Sequence, residues 1–284
     1  PQEKRRGFHS MWSSHNVVLP ESLFADHPEY FAEIGGKRYK SNLCFSNPEV
    51  DRLVAAATAD YVRKRPFLDI LSVFPSDNQD YCRCARCARM DVSTAWFEFY
   101  NRLTDTLKQE FPDLKFATIA YQGYRDVPQC PIRNSEFIEY ASYSRCNIHP
   151  YGHPDCRHNA DTLRAMLAWQ ATGLPIGHYA YEYDIYSTNC RFTPFLSMIA
   201  DAVKTSRRLG HVAVIPEVSL SPRSGVFNRH RRYRESSVRR GGPHWKACQA
   251  AQASCGPRLG TEGRYHDGRG QEGHRRRHVE GVGG

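Results

Sequence analysis

The chain has 284 residues, 40% of them hydrophobic and 12% aromatic, which is the composition of an ordinary globular protein with one large or two modest domains. No apolar run approaches the roughly 18 residues of a membrane span, and no signal peptide is visible. The net charge of +9 invites a nucleic-acid-binding interpretation, but all of it comes from residues 221–284, which hold 14 Lys+Arg and 5 Asp+Glu. Residues 1–220 are neutral overall.

The basic segment, residues 221–284, is rich in arginine and glycine and shows no apolar periodicity. Such a segment cannot bury enough apolar surface to offset the entropy of ordering it. We therefore expect residues 1–220 to form the folded domain and residues 221–284 to be a disordered or out-of-frame tail. An RNA-binding arm is the less favoured alternative, because aromatic residues are sparse in this segment.

Strand-like and helix-like patterns alternate through the first 220 residues. Asn47, Pro48 and Glu49 have the features of a helix start, and the nearly continuous apolar run at 67–74 is typical of a buried parallel strand. A polar stretch with a turn at Gly35-Gly36 precedes that helix. In chain order we predict a strand at 8–12, a helix at 48–63, a strand at 67–74, a helix at 93–110, strands at 115–121 and 137–148, a helix at 161–171, a strand at 176–183, a helix at 194–209 and a strand at 211–215.

This alternation predicts βα units and a parallel sheet, either as an open doubly wound sheet or as a (β/α)8 barrel. No glycine-rich phosphate-binding loop follows any strand, which counts against a nucleotide-binding open sheet. Polar and aromatic residues follow the strand ends instead, where a barrel builds its active site. We therefore predict an α/β fold: a partial (β/α)8 barrel of about six parallel strands.

Four segments together resemble a known family: HPEYFAEIGGKR (27–38), NLCFSNPEV (42–50), FPSDNQDYCRCARC (74–87) and YAYEYDIYSTNCRFTPF (179–195). The family is the bacterial domain of unknown function 4838, grouped with alpha-glucuronidase-like glycoside hydrolases of the (β/α)8-barrel superfamily. The resemblance covers residues 7–220. It implies a carbohydrate substrate and a secreted or periplasmic protein; family members are usually longer, so we expect this chain to be a fragment.

Three carboxyls follow predicted strand ends: Asp77, Glu182 and Glu217. Glycoside hydrolysis normally needs two such groups, one as acid and one as base or nucleophile. Glu182 lies between Tyr181 and Tyr183, and partial desolvation there would raise its pKa and suit a general acid. The resemblance also implies an acidic residue flanked by aromatics at this strand end. We predict all three carboxyls as catalytic candidates.

Each carboxyl also has a structural interpretation. Strand alternation puts Glu182 on the face opposite its two tyrosine neighbours, so it could instead pair with an arginine outside the barrel. Asp77 lies in a Pro-Ser-Asp-Asn turn and could cap backbone amides. Further side chains at the strand ends are candidates for binding a sugar, although each could equally be a packed or solvated residue: His9, Trp12, Asn78, Tyr121, His149, Tyr181 and Tyr183.

A C-x-C-x-x-C motif supplies the sulfurs of Cys82, Cys84 and Cys87. Three thiolates are one ligand short of a closed zinc site, and we expect no other cofactor. The fourth ligand could be His149, His153 or Cys156. The favoured alternative is free thiols or a disulfide to Cys44 or Cys130.

From the resemblance and these residues we expect a glycoside-hydrolase-like domain that cleaves or binds polysaccharide-derived glycosides, including uronic-acid-containing ones. The alternative is a carbohydrate-binding barrel without catalysis; nucleic-acid binding through the tail is less favoured. The sequence leaves the sugar, the linkage and the oligomeric state open.

Overall fold

A computed structural model of the chain describes residues 9–11, 15–143, 145–146, 148–181 and 196–216. Strands in these ranges are β1 (His9–Met11), β2 (Phe31–Ile34), β3 (Lys37–Leu43), β4 (Ile70–Ser72), β5 (Lys115–Ala120), β6 (Ser135–Ala141), β7 (Ile176–Ala180) and β8 (Ala213–Pro216). Six of them form one sheet in the order β1-β4-β5-β6-β7-β8, each parallel to its neighbour. The sheet curls into a half-barrel, which confirms the predicted partial barrel.

Four of the five connections between strands of this sheet contain an α-helix: α1 (Pro48–Arg63), α2 (Val92–Glu110), α3 (Arg157–Gln170) and α4 (Leu196–Arg208). The connection from β5 to β6 contains a 3-10 turn, Gln122–Tyr124, in place of an α-helix. Asn47 caps α1 by accepting a hydrogen bond from the Glu49 amide (3.0 Å), and Asp91 caps α2 by accepting one from the Thr94 amide (2.8 Å). None of the helices in the described ranges is long and apolar enough to cross a membrane.

The two faces of the sheet have different neighbours, because successive side chains of a strand point to opposite sides. On the outer face the Tyr140 hydroxyl donates to the Thr162 carbonyl of α3 (3.4 Å). On the inner face Ile119 and Ala141 belong to a separate apolar cluster with Tyr121, a residue just past the end of β5. The apolar cluster on the inner face therefore extends to Tyr121, at the edge of the sheet where the parallel strands end.

An antiparallel hairpin of β2 and β3 was not predicted. Its two-residue turn, Gly35 and Gly36, has φ of +57° and +77°, which glycine adopts without strain and which suits a tight hairpin turn. The turn itself was predicted, but β3 is mostly exposed and polar, so it lacks the apolar alternation by which a strand is found from sequence.

Several predicted strands are longer than the observed ones. β4 covers residues 70–72 rather than 67–74, β6 covers 135–141 rather than 137–148, and β7 ends at residue 180 rather than 183. Past β4 the chain still follows β5, since the Val73 amide donates to the Ala117 carbonyl (2.8 Å), but the regular ladder has ended. The predicted tail, 221–284, lies outside the described residues.

Candidate active site at the strand ends

Aromatic side chains follow four successive parallel strands at the edge where these strands end. They are Phe74 after β4, Tyr121 after β5, Tyr143 after β6 and Tyr181 after β7, and we call them the aromatic row. The Tyr121 and Tyr143 rings lie 5.5 Å apart and the Tyr143 and Tyr181 rings 5.4 Å apart, both edge to face. Tyr143 is 39% exposed, whereas Phe74 and Tyr121 are buried (2% and 6%), so within the row it is the Tyr143 ring that faces solvent most openly.

Asp77 lies beside the aromatic row, in the loop that follows β4. Its Oδ1 accepts hydrogen bonds from the Tyr121 hydroxyl (3.1 Å) and the Gln122 side-chain amide (3.3 Å). The Asp77 side chain is 54% exposed. Burial, reinforced by the Asp77 charge, raises the pKa of Tyr121, so this phenol stays protonated and keeps donating. The structure therefore brings the two predicted residues together: the Tyr121 hydroxyl contacts the Asp77 carboxylate, which faces solvent.

His15 also faces this carboxylate and was not predicted. Its Nδ1 lies 2.6 Å from the Pro75 carbonyl oxygen, and because a carbonyl only accepts, Nδ1 carries the proton. Its Nε2 lies 3.9 Å from Asp77 Oδ2. The signal in the sequence was weak, because His15 is far along the chain from the loop that it joins.

The loop of Asp77 is held in place by its neighbours. Asn78 accepts a hydrogen bond from the Asn42 amide (3.2 Å) and donates one to the Ser41 carbonyl (2.6 Å), both at the end of β3. Its side chain also accepts the Asp80 amide (3.0 Å), so Asn78 rather than Asp77 makes this turn contact. The predicted sugar-binding residue Asn78 therefore ties the loop to the hairpin.

Tyr81 fixes the other end of the same loop. Its hydroxyl accepts a hydrogen bond from the Gly123 amide (2.9 Å), and a Cβ at residue 123 would collide with the Tyr81 ring. Only glycine allows this approach between the loop after β4 and the turn after β5.

Glu139 is a buried carboxyl on the inner face of β6 that the sequence analysis did not single out. It is 0% exposed, and its Oε1 accepts a hydrogen bond from the Ser72 hydroxyl of β4 (3.2 Å). Burial raises the pKa of Glu139 to about 7. In the sequence Glu139 is a single charged residue inside the apolar run FIEYA, a pattern that indicates a strand and is the only sign of a buried carboxyl there.

Replacing Glu139 by glutamine is expected to remove a pH dependence of stability. The carboxyl has a pKa near 4.5 in the unfolded state and about 7 in the folded state. Between these two pH values it is therefore protonated in the folded protein and ionised in the unfolded protein. The stabilising protonated form is fully present below pH 4.5 and its contribution is lost as the pH rises to 7. Relative to Glu139→Gln, the parent should therefore lose up to about 3 kcal/mol between pH 5 and pH 8.

Urea unfolding of both proteins across this pH range measures the difference. Glu136→Gln is a matched control, because Glu136 lies on the same strand but is partly exposed and paired with Lys115 (2.6 Å). Stability curves that run parallel for the parent and Glu139→Gln would contradict the assignment.

Four cysteine sulfurs meet where the β2–β3 hairpin contacts the loop after β4. Cys44 Sγ lies 3.7 Å from Cys84 Sγ and 3.9 Å from Cys87 Sγ, and with Cys82 all four sulfurs lie within 4.8 Å of one another. We call this group the sulfur cluster. The cluster could hold a metal ion. Hydrogen bonds from Cys82 and Cys87 hold the pKa of the Cys44 thiol well below its usual range.

Two expectations about these cysteines are corrected. The fourth sulfur is Cys44, from the hairpin that was not predicted, and none of His149, His153 and Cys156 belongs to the cluster. Cys44, Cys82, Cys84, Cys87 and Cys130 are not joined in disulfides, so neither a disulfide from the motif to Cys44 nor one to Cys130 is present among the described residues.

His149 lies in a second group, with Cys146 and Cys156, in which the ligand atoms lie within 4.8 Å of one another. Its Nδ1 lies 3.5 Å from Cys146 Sγ, and its ring contacts that of His153 at 4.4 Å. The Asn159 side chain holds this turn by donating to the His149 carbonyl (2.6 Å). A role of His149 in sugar binding stays a prediction.

The other predicted residues are placed only in part. Tyr181 is in the aromatic row and packs against Tyr179 (5.3 Å). The backbone of His9 lies in β1 opposite Ile70, but its side chain is outside the described part. Four further candidates lie outside the described residues: Trp12, Glu182, Tyr183 and Glu217.

A family model described as "Domain of unknown function (DUF4838)" matches residues 2–237. The match runs beyond residue 220, where the resemblance was expected to end, and into the segment assigned to the tail. No curated protein matches the chain.

Proposed function

We propose that this chain is a glycoside-hydrolase-like domain acting on polysaccharide-derived glycosides, including those that carry uronic acids. The chain belongs to the family of domain of unknown function 4838 (DUF4838). The observation that carries the proposal is the aromatic row beside the solvent-facing carboxylate of Asp77. Both lie at the ends of parallel strands in a half-barrel, where barrels place their active sites.

The aromatic row supports a carbohydrate ligand. Sugar rings present apolar C–H faces between polar hydroxyls, and aromatic rings supply a large, rigid apolar surface for such faces. Tyrosine adds a hydroxyl that can bind a sugar hydroxyl. Its three tyrosines follow neighbouring strands, so the row is extended along the sheet edge, as a chain of linked sugars would require.

Asp77 supports hydrolysis of the glycosidic bond. Its carboxylate is oriented by Tyr121 and Gln122 and is open to an incoming ligand, as the base or nucleophile of a glycosidase must be. The second carboxyl, the general acid, is assigned to Glu182, with Glu217 as the next choice; these assignments stay predictions. A polysaccharide substrate also agrees with export of the protein, which stays a prediction as well.

A carbohydrate-binding barrel without catalysis is the second candidate. Cleavage needs two carboxyls, one as acid and one as base or nucleophile. Binding of a sugar by the aromatic row needs neither, so the row alone supports this candidate.

Activity and binding assays on the same protein separate the two candidates. The chain is incubated with aryl glycosides and aryl uronides in both anomeric forms, and release of the aryl group is followed. Binding of oligosaccharides, neutral and uronic, is measured by calorimetry. We expect hydrolysis of at least one substrate; binding without hydrolysis would favour the second candidate, and neither binding nor hydrolysis would contradict both.

A further inference from the structure

We propose that the sulfur cluster of Cys44, Cys82, Cys84 and Cys87 binds one zinc ion. The ion would be structural: it would join the β2–β3 hairpin to the loop that carries Asp77. This site is independent of the proposed carbohydrate function, since it rests on the four sulfurs alone.

The distances between the sulfurs fit one tetrahedral ion. A zinc–sulfur bond of about 2.3 Å, repeated at tetrahedral angles, places neighbouring sulfurs about 3.8 Å apart. The Cys44 sulfur lies 3.7 Å from that of Cys84 and 3.9 Å from that of Cys87, and no pair in the cluster exceeds 4.8 Å. These distances are far longer than the roughly 2.05 Å of a disulfide. A short movement of the side chains therefore completes the coordination shell.

The ligand set indicates zinc and a closed site. Four thiolates are soft donors, and tetrahedral sulfur coordination is typical of zinc or of iron–sulfur centres. Four protein ligands leave no position for substrate, unlike catalytic zinc sites, which keep one open. We therefore assign the ion a role in holding the fold rather than in the reaction.

The surroundings of the cluster provide the contacts that thiolate ligands need. The Glu33 amide donates to Cys82 Sγ (3.3 Å), and Ser46 Oγ lies 3.1 Å from Cys87 Sγ. Four thiolates and one Zn²⁺ carry a net charge of −2, and an amide and a hydroxyl at these positions can donate to thiolate ligands and stabilise the bound state.

The packing around the cluster also favours a metal over free thiols. The four cysteines and Ala32 form an apolar group separate from the main core. A group of four sulfurs and one methyl buries little apolar surface, so burial alone would stabilise this junction weakly. The loop between β4 and α2 has only one short 3-10 turn, Cys87–Arg89, of regular structure. A metal ion would fix residues 82–87 to the hairpin directly, in addition to the hydrogen bonds by which Asn78 and Tyr81 hold the preceding part of the loop.

Metal content and site-directed variants test the proposal. The full chain is purified with zinc present, desalted and analysed by mass spectrometry for zinc per chain. We expect one equivalent to be lost in Cys44→Ser and in Cys84→Ser. Cys130→Ser is the matched control, because Cys130 is a described thiol outside the cluster, and it should keep its zinc. Cys146→Ser tests the second group, and it should also keep the equivalent that Cys44→Ser loses.

A second measurement covers the case in which the serine variants fail to fold. The unaltered chain is loaded with Co²⁺, which should give the strong visible absorption of a tetrahedral four-thiolate site. Hydrogen exchange in residues 76–91 should increase when a chelator removes the metal. A folded chain without zinc, zinc retained by Cys44→Ser, an iron–sulfur spectrum, or a disulfide within the cluster by peptide mapping would each overturn the proposal.

Discussion

Replacing Asp77 by asparagine is expected to lower kcat on the best glycoside substrate by about 10²–10⁴-fold, the usual contribution of a positioned acid or base. Asparagine keeps the size of the side chain and can still accept from Tyr121 and Gln122, but it cannot act as base or nucleophile. KM should change much less than kcat, because the aromatic row, to which we assign sugar binding, is unchanged. Steady-state kinetics on the substrate found in the activity screen measure both constants.

Asp113→Asn is the matched control for this prediction. Asp113 is an exposed aspartate in the turn before β5, at the opposite end of the strand from Tyr121. The kcat of the Asp113→Asn variant should equal that of the parent. An Asp77→Asn variant with parental kcat would remove Asp77 from the reaction and leave the barrel as a binding domain or shift the chemistry to other carboxyls.

Replacing Trp96 by alanine is expected to lower the free energy of unfolding by about 3–5 kcal/mol, the range for large aromatic residues removed from a core. Trp96 in α2 is 0% exposed, and its ring contacts those of Phe45 (5.2 Å), Phe99 (5.8 Å) and Tyr124 (5.8 Å). Phe45 follows directly on Cys44, and Tyr124 accepts a hydrogen bond from Asn42 of β3 (3.3 Å). The variant should therefore also loosen the hairpin beside the sulfur cluster.

Trp96→Phe should lower the free energy of unfolding far less than Trp96→Ala does. The phenyl ring keeps most contacts, and the change removes a buried indole N–H that has no hydrogen-bond partner among the described residues. An unpaired buried donor costs about 1–3 kcal/mol, so its removal offsets part of the lost volume. Urea unfolding followed by circular dichroism measures both variants, and equal losses would show that the ring contacts are not the main stabilising feature.

Much of the fold could be predicted because local signals agreed with the tertiary structure. α1 has the predicted bounds, since its cap Asn47 and the proline after it mark the start without tertiary help. The strand centres were also found from their apolar runs, but strand ends depend on where a neighbouring strand stops pairing. β2 and β3 were missed because β2 is short and β3 is mostly polar and exposed, so neither shows a sustained apolar alternation.

The candidate site was predicted in part. Asp77 and Tyr121 were each predicted because they follow strand ends, and since parallel strands end at one edge the structure brings the two side chains into contact. Cys44 could not be selected over Cys130 as the partner of the cysteine motif, since spacing along the chain does not fix which distant segment is near. Glu139 was missed because a lone carboxyl in an apolar strand gives no indication of which face it occupies.

The central claim, that the aromatic row binds carbohydrate, is tested most directly by calorimetric titration of two tyrosine variants with the oligosaccharide that the parent binds best. Tyr143→Ala removes an exposed ring of the row, whereas Tyr39→Ala removes a similarly exposed ring from β3 (39% and 45% exposed). The account predicts at least about tenfold weaker binding by Tyr143→Ala, or about 1.4 kcal/mol, and parental affinity for Tyr39→Ala. Parental affinity for Tyr143→Ala, or equal losses in both variants, would contradict it.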